Sequence, residues 1–491
     1  MRIFDFYRSI LPFCLVVCWG TVSVLLAATT PGNSETGKGA GNGTTYRLES
    51  TRGVGNIIRV KALLKVKGRL KIKSAEKMKE NDPSVQVTSK LYYDEKILDP
   101  PNKSRQERQS VRYYYLAEAQ IGIDQKATSP SLSTSRRTIV HTLGEKPILF
   151  SPQGALNRAE LDLLDIPGDT LSFDELLPVG EVHLGQSWSQ NGHVLQRWLG
   201  LDDVGQADIS SQLVSVKDDQ AKVEMKGHLT GMAGGVETEM DIIAEYHFDF
   251  GKQHITRLTL DIQEKRAAGY AEPGLDVLAR LQLRMIPVRS SESLDEAELA
   301  QYDLSETGNA GVIRFESQRG GFQTHHEPRW HVILENDKTT MFRLVDNGDL
   351  LGQCNVARLP NLEPGSFEAL GDFQAEIRKA LGDHFGEFVE AEESDLKSGL
   401  KKTRVVAGGT VGKLSIRWTY YQLTHKDGRR ATCVFTSESG KEERFAGADE
   451  TMISSFSFLA GTDADQNPTK ADRSPTETKE TAQTGSTIPR R

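Results

Sequence analysis

Residues 60–73 read VKALLKVKGRLKIK, and their alternation decides the first half of the fold. Val60, Ala62, Leu64, Val66, Leu70 and Ile72 fall on one parity, and Lys61, Lys65, Lys67, Arg69, Lys71 and Lys73 on the other. Consecutive side chains of a strand point to opposite faces, so this segment has one apolar face and one strongly basic face. Working outward, Val111, Tyr113, Tyr115, Ala117, Ala119, Ile121 and Ile123 repeat the period of two, and Ile148 to Phe150 gives a shorter strand after Pro147. Four further runs, 209–216, 222–229, 236–250 and 255–262, follow with turn signals at Lys217-Asp218-Asp219 and Gly251-Lys252. Short gaps between alternating strands predict an antiparallel meander over residues 45–288. Helices are expected at Leu156–Leu164, before Pro167-Gly168, and at Gly274–Leu283. Trp188, in Leu184-Gly185-Gln186-Ser187-Trp188 after Leu176-Leu177-Pro178-Val179-Gly180, is expected to pack on the sheet.

The second folded region, 322–460, mixes periods. Trp330–Leu334, Thr340–Val345 and Leu350–Leu359 read as strands around an Asp346-Asn347-Gly348-Asp349 hairpin turn. Helical spacing then takes over. Phe367, Leu370, Phe373, Ile377, Ala380 and Leu381 line one face after Pro364-Gly365-Ser366, and Gly382 stops the helix. Strands resume at 404–406, 413–423 and 430–437, turning at Lys426-Asp427-Gly428, and Asp449–Phe456 closes the region as a short helix. A sheet with helices on its faces buries both patterns.

The run Arg343-Leu344-Val345-Asp346-Asn347-Gly348, then Gln353-Cys354-Asn355-Val356, the helix through Phe385-Gly386-Glu387-Phe388, and Arg417-Trp418-Thr419-Tyr420-Tyr421 before Phe435-Thr436 resembles the PsbP-like family. The resemblance implies an α/β/α sandwich over residues 322–460 and a non-enzymatic binding or assembly module. The first region is similar to the curved-sheet half-barrels of exported lipoprotein and lipid carriers, on meander topology alone. The arrangement as a whole resembles uncharacterised exported proteins of planctomycete-type bacteria. The expected class is therefore α+β, an antiparallel curved half-barrel joined to a PsbP-like sandwich.

Around these bodies the composition shifts. Residues 1–28 carry Arg2 and Arg8, an apolar run over 10–28 and small residues at Ala27-Ala28, which read as a signal peptide and so as a periplasmic or secreted protein. The alternative is a membrane anchor through residues 10–28, since 19 apolar residues are close to a bilayer's requirement. Residues 29–44 are a Gly/Ser/Thr/Asn linker, 289–321 an acidic linker containing the boundary, and 461–491 a polar tail that cannot bury enough surface to order itself. Asn42 and Asn102 stand in glycosylation sequons. Removal of the signal leaves Cys354 and Cys433, either as a disulfide or as two separate buried thiols.

The chain has 491 residues with 60 Lys+Arg against 68 Asp+Glu, a net charge of −8, which argues against a globally basic nucleic-acid binder. No G-x-S-x-G, H-E-x-x-H, P-loop or dinucleotide glycine motif is present, and Gly53-Val54-Gly55 lacks both the third glycine and the helix. His325-His326-Glu327 with His331 is the densest group of potential metal ligands, His325 and His331 sharing a face if one strand carries both. Asp174-Glu175 is a candidate carboxylate pair or an exposed acidic turn. The cations of 61–73 suit an anionic lipid surface or polymer, or else guard an edge against aggregation. No catalytic, cofactor or metal residue is assigned. The expectation is an exported non-catalytic binding or assembly protein for an apolar or anionic envelope ligand, its partner an envelope component or another protein. The alternative is an envelope hydrolase whose site assembles only in three dimensions. A binder predicts an apolar groove, and an enzyme predicts a polar cleft where titratable groups gather.

Overall fold

A computed structural model describes residues 44–72, 82–99, 108–144, 147–305, 310–445 and 447–460. The signal-peptide and tail segments, Lys73 and both sequon asparagines lie outside these residues.

In chain order the first region contains β1 (Thr45–Arg47), β2 (Ile57–Lys71), β3 (Ser84–Leu98), β4 (Arg108–Ile123), β5 (Lys126–Thr128), β6 (Thr138–Leu143), β7 (Ile148–Phe150), α1 (Arg158–Leu164), β8 (Glu181–His183), β9 (Ser187–Ser189), α2 (Gly192–Leu199), β10 (Asp203–Lys217), β11 (Gln220–Ala233), β12 (Val236–Asp249), β13 (His254–Arg266) and β14 (Gly274–Val288). One antiparallel sheet takes the order β7-β6-β4-β3-β2-β14-β13-β12-β11-β10-β9, with β5 on β4. Strands β7 and β9 do not pair, so the curved sheet stays open. Its inner face and the helices share one core, in which Leu163, Leu164, Phe173 and Trp198 meet Val60, Leu64, Leu260 and Leu281.

Strand β14 corrects the helix expected at Gly274–Leu283. Leu275, Val277, Ala279, Leu281, Leu283 and Met285 are buried while Leu278, Arg280, Gln282 and Arg284 are exposed, a period of two that joins β13 to β2. Helix α2 was not foreseen. Asn191 caps it through its side chain, and Gly200 ends it in the left-handed conformation at φ 69°.

Between β3 and β4 the register slips, Tyr92 facing Leu116 and Tyr93 facing Tyr114. Tyr115 is the extra residue of a bulge, and the bulge exchanges the two faces of β4. Ala117, Ala119, Ile121 and Ile123 point inward as their parity predicts, but before the bulge Arg112 and Tyr114 do so in place of Tyr113 and Tyr115. Val111 is buried in a separate cluster with Leu294 and Leu299, the latter on α3 (Glu296–Leu299), within the segment read as a linker.

The second region contains β15 (Ile313–Ser317), β16 (Phe322–His326), β17 (Trp330–Glu335), β18 (Thr340–Asp346), β19 (Asp349–Leu359), α4 (Leu370–Leu381), β20 (Phe385–Asp395), β21 (Lys401–Val411), β22 (Leu414–Thr424), β23 (Arg430–Glu438), α5 (Glu442–Phe445), α6 (Ala448–Ser454) and β24 (Ser457–Phe458). Seven antiparallel strands run β17-β18-β19-β23-β22-β21-β20. Helix α4 covers one face with Phe373, Ile377 and Leu381 against Val405, Ala407, Ile416 and Trp418. Helix α6 lies against the other, placing Met452, Ile453 and the following Phe456 with Trp330, Phe342 and Phe435. This is the expected α/β/α sandwich, and the molecule is α+β. Phe385–Phe388 begins strand β20 rather than continuing the helix; its acidic, exposed edge position carries little alternation to read.

The bodies meet at several points. Arg314 N donates to Leu156 O (2.8 Å), Arg158 reaches the Pro328 carbonyl, and Arg343 Nη1 donates to Tyr270 O (2.8 Å). Two hairpin tips also touch backbone to backbone: a Cβ at Gly235 would lie 1.8 Å from Gly348 N. No helix among the described residues is long and apolar enough to cross a membrane.

Candidate functional site

The bulge at Tyr115 turns Arg112 inward, where it meets the buried Glu95 and forms one buried charge centre of the first region, another being Glu264 with Arg266 on β13. Glu95 on β3, wholly buried, accepts from Arg112 Nε (2.6 Å), Ser110 Oγ (3.0 Å) and Thr170 Oγ1 (2.7 Å), with Arg52 Nη2 at 3.5 Å. Burial alone would raise its pKa. The positive charges of Arg112 and Arg52, with the Thr170 hydrogen bond, outweigh burial and hold it at about 2. Arg112 also donates to Asp169 Oδ1 (3.4 Å), and its guanidinium lies 5.4 Å from the Tyr93 ring centre.

Asp169 and Thr170 belong to the strap 165–177, which crosses the open side of the sheet. Arg52 Nη1 donates to Thr170 O (2.9 Å) and Arg108 Nη1 to Leu171 O (2.8 Å). Gly168 turns the strap at φ 82°, where a Cβ would lie 2.6 Å from Leu281 Cδ2. Only glycine combines that dihedral with so close an approach to the sheet. Asp174 and Glu175 are not an exposed turn: Arg52 lies 3.8 Å from Asp174, and Arg108 (3.5 Å) and Arg197 both pair with Glu175. The two arginines hold Glu175 from both sides, whereas Asp174 is met only through Oδ2, its buried Oδ1 having no hydrogen-bond partner among the described residues.

A cavity of about 210 Å³ remains between sheet, strap and α1. Leu91, Phe150, Leu161, Leu164 and Leu283 give it apolar walls, Val312, Ile313 and Pro328 reach it from the second region's side, and Arg112, His141, Asp165, Asp169, Arg197 and Asp202 add charged and polar lining. His141 Nε2 lies 3.2 Å from Asp169 Oδ2. Burial and the charge of Arg112 lower its pKa against the pull of Asp169, so the ring is neutral near pH 7. A carboxylate only accepts, so the proton sits on Nε2 and Nδ1 is an acceptor. Nδ1 is buried and has no hydrogen-bond partner among the described residues.

The histidines of the second region do not converge. His325 and His326 end β16 and His331 lies on β17, in different sheets, so they share no strand face. His326 Nδ1 contacts Glu327 O (2.8 Å) and its ring packs on Phe342, while His331 lies 4.0 Å from Glu272. No group of three or more metal-ligating side chains occurs among the described residues. Cys354 and Cys433 are free and fully buried, and burial pushes both thiols well above their ordinary pKa. Trp188 is half-buried against the first core, its Nε1 donating to Leu176 O (3.1 Å). Sequence reading missed Arg52, Glu95, Arg112, His141 and Asp169. Arg112 inside an alternating strand was the available signal, but without the bulge its parity pointed outward.

Fold and site together define a lidded antiparallel half-barrel joined to an α/β/α sandwich. No family model matches the sequence, and no curated protein matches it. Among solved structures the chain is similar to cyanobacterial PsbP (CyanoP) from Synechocystis, at 16% identity and a TM-score of 0.25, covering 32% of this chain and 96% of that one. The Ran-binding protein Mog1p of Saccharomyces cerevisiae is similar at 11% identity and a TM-score of 0.24, over 30% of this chain and 95% of that one. An outer membrane channel from Pseudomonas putida matches at 7% identity and a TM-score of 0.15, over 79% of this chain and 97% of its own.

Proposed function

We propose that this is an exported, non-catalytic binding protein whose half-barrel holds a small amphiphile, apolar chain inward and a hydroxyl-bearing head group at His141. The unpartnered Nδ1 of His141, a residue lining a cavity that also has aliphatic walls, carries the reading. An unmet buried acceptor costs about 1–3 kcal/mol, and a ligand hydroxyl offsets that cost while the chain lies against the aliphatic walls. The volume suits one short chain rather than a diacyl lipid. Export rests on residues 1–28, and the N-terminal sequence of the exported protein separates cleavage after Ala28 from an anchor through 10–28.

The test uses the full chain with 1-hexanol and 1,2-hexanediol, whose size matches a cavity somewhat larger than one that holds benzene. Both are expected to raise the melting temperature and to bind in titration calorimetry, with hexane weaker. Leu164→Trp, which fills the cavity, is expected to abolish binding while the far-ultraviolet spectrum stays unchanged. Failure of all three compounds to bind the native chain overturns the reading.

A second reading rests on the His141–Asp169 pair itself, since a neutral imidazole oriented by a carboxylate can serve as a general base toward water in an ester hydrolase. Its test is hydrolysis of a short-chain ester, p-nitrophenyl butanoate, abolished in His141→Gln. Absence of turnover in the native chain removes this reading.

A further inference from the structure

The outer face of the half-barrel carries charge that the cavity does not use. On β2, Lys61, Lys65, Lys67 and Arg69 all face outward and are exposed, while Val60, Ala62, Leu64, Val66 and Leu70 are buried beneath them. Register widens this row into a patch. Arg284 of β14 stands opposite Lys61 and Arg280 opposite Lys65, and Arg257 of β13 stands opposite Arg284. Arg280 pairs with Asp261, and Lys90 of β3 with Glu118. Lys61, Lys65, Lys67, Arg69, Arg257 and Arg284 have no ion-pair partner among the described residues, Asp276 being the carboxylate that faces Arg69 across the strands. A self-contained surface of mixed sign would have paired them, because unpaired like charges on adjacent strands repel.

We propose that this face docks the protein on a bilayer containing anionic phospholipid. Four cations on β2 span nine residues, Lys61 to Arg69, about 26 Å of strand, enough to meet several head groups at once. Leu278, half-exposed, lies opposite Lys67, and Leu63 is partly exposed between Lys61 and Lys65. Apolar side chains among cations suit the head-group boundary of a bilayer, where both find partners, whereas a soluble polyanion offers the leucines nothing. Orientation follows from the rest of the same face. Three strands round from β2, β12 exposes Glu237, Glu239 and Asp241, which an anionic surface repels. The β2 side therefore approaches and the β12 side tilts away.

The experiment is co-sedimentation of the full chain with vesicles of phosphatidylcholine alone and of phosphatidylcholine mixed with phosphatidylglycerol. The native chain is expected to bind the mixed vesicles much more strongly and to be released near 1 M salt, where the screening length falls to about 3 Å. Residues 10–28 are common to every sample, so the dependence on lipid charge isolates the patch. Each cation replaced by Gln is expected to weaken binding about fivefold. Lys61→Gln/Lys65→Gln/Lys67→Gln together should leave only the level seen on phosphatidylcholine, with an unchanged melting curve. Glu237→Gln/Glu239→Gln, on the far side, should not weaken binding. Equal binding to both vesicles, or retention of binding by the triple variant, overturns the proposal. So does capture by polyphosphate in solution without vesicle binding, which would assign the patch to a soluble polyanion.

Discussion

The half-barrel and the sandwich are both antiparallel sheets covered by helices, yet they fill their interiors by opposite means. The sandwich packs aromatic rings: Trp330 lies 5.8 Å edge-on from Phe435, Tyr421 lies 5.7 Å from the same ring, and Cys354 and Cys433 fill the gaps as neutral thiols. The half-barrel instead places Arg52, Glu95, Arg112, His141 and Asp169 between sheet and strap and keeps a cavity beside them. A well-packed apolar core of similar volume would be as stable or more so, because desolvating charges costs what their pairing returns. The difference teaches that the half-barrel's strap is fastened by charged partners, so that removing one leaves the others buried and unpaired.

The largest expected break in that comparison is Glu95→Gln. It leaves Arg112 and Arg52 buried without their shared counter-charge, and the half-barrel should lose about 3–5 kcal/mol. Chemical denaturation followed by tryptophan fluorescence checks this, and native-like stability would show that the strap is held by packing alone.

Acid sharpens the contrast. Glu95, held at about 2 against 4.5 for the free group, contributes stability that is present above pH 4.5 and lost as pH falls toward 2, about 3 kcal/mol in all. His254 acts in the same direction and earlier. Burial and the charge of Arg52 lower it from 6.5 to about 4, so stability drains as pH falls from 6.5 to 4 while the unfolded chain takes up the proton. The buried thiols of the sandwich do not titrate in acid. His325, lowered by burial and Arg314, adds a share there, and Asp427, held down against burial by Arg429, and Glu390, held down by Arg404, add less because water screens both pairs. Melting curves between pH 7 and pH 3 should therefore show the half-barrel unfolding first, and simultaneous loss of both bodies would contradict this.

The smallest effect concerns the sandwich alone. Ile377→Val removes one methyl from the contact between α4 and its sheet and should cost about 1 kcal/mol. Alkylation of Cys354 and Cys433 reports it locally, since neither thiol reacts until the sandwich opens. An unchanged alkylation rate in mild denaturant would place α4 outside the cooperative unit.

Alternation made β2 legible, and the Asp346–Asp349 turn was equally legible because a left-handed Asn347 (φ 49°) followed by Gly348 (φ 81°) is a local requirement. The strand at 274–288 was misread because Leu275, Leu278 and Leu281 also fit a helical stripe, and only pairing with β2 and β13 decided between the periods. The site was less legible still. Tyr113, Tyr114 and Tyr115 supply aromatic surface to either face of β4, so no local preference marks where the parity changes.

By itself the sequence determined the two sheet-built bodies, the basic face of β2 and the hairpin turns, because periodicity and left-handed turn residues act over a few positions. Tertiary structure alone decided which way Arg112 points, that Glu95 and Asp169 meet it, and that a cavity survives beside His141. Those outcomes depend on one inserted residue and on contacts between distant segments, Arg52 and Thr170 being 118 positions apart and the cavity walls further still, and the short-range pattern carries no record of either.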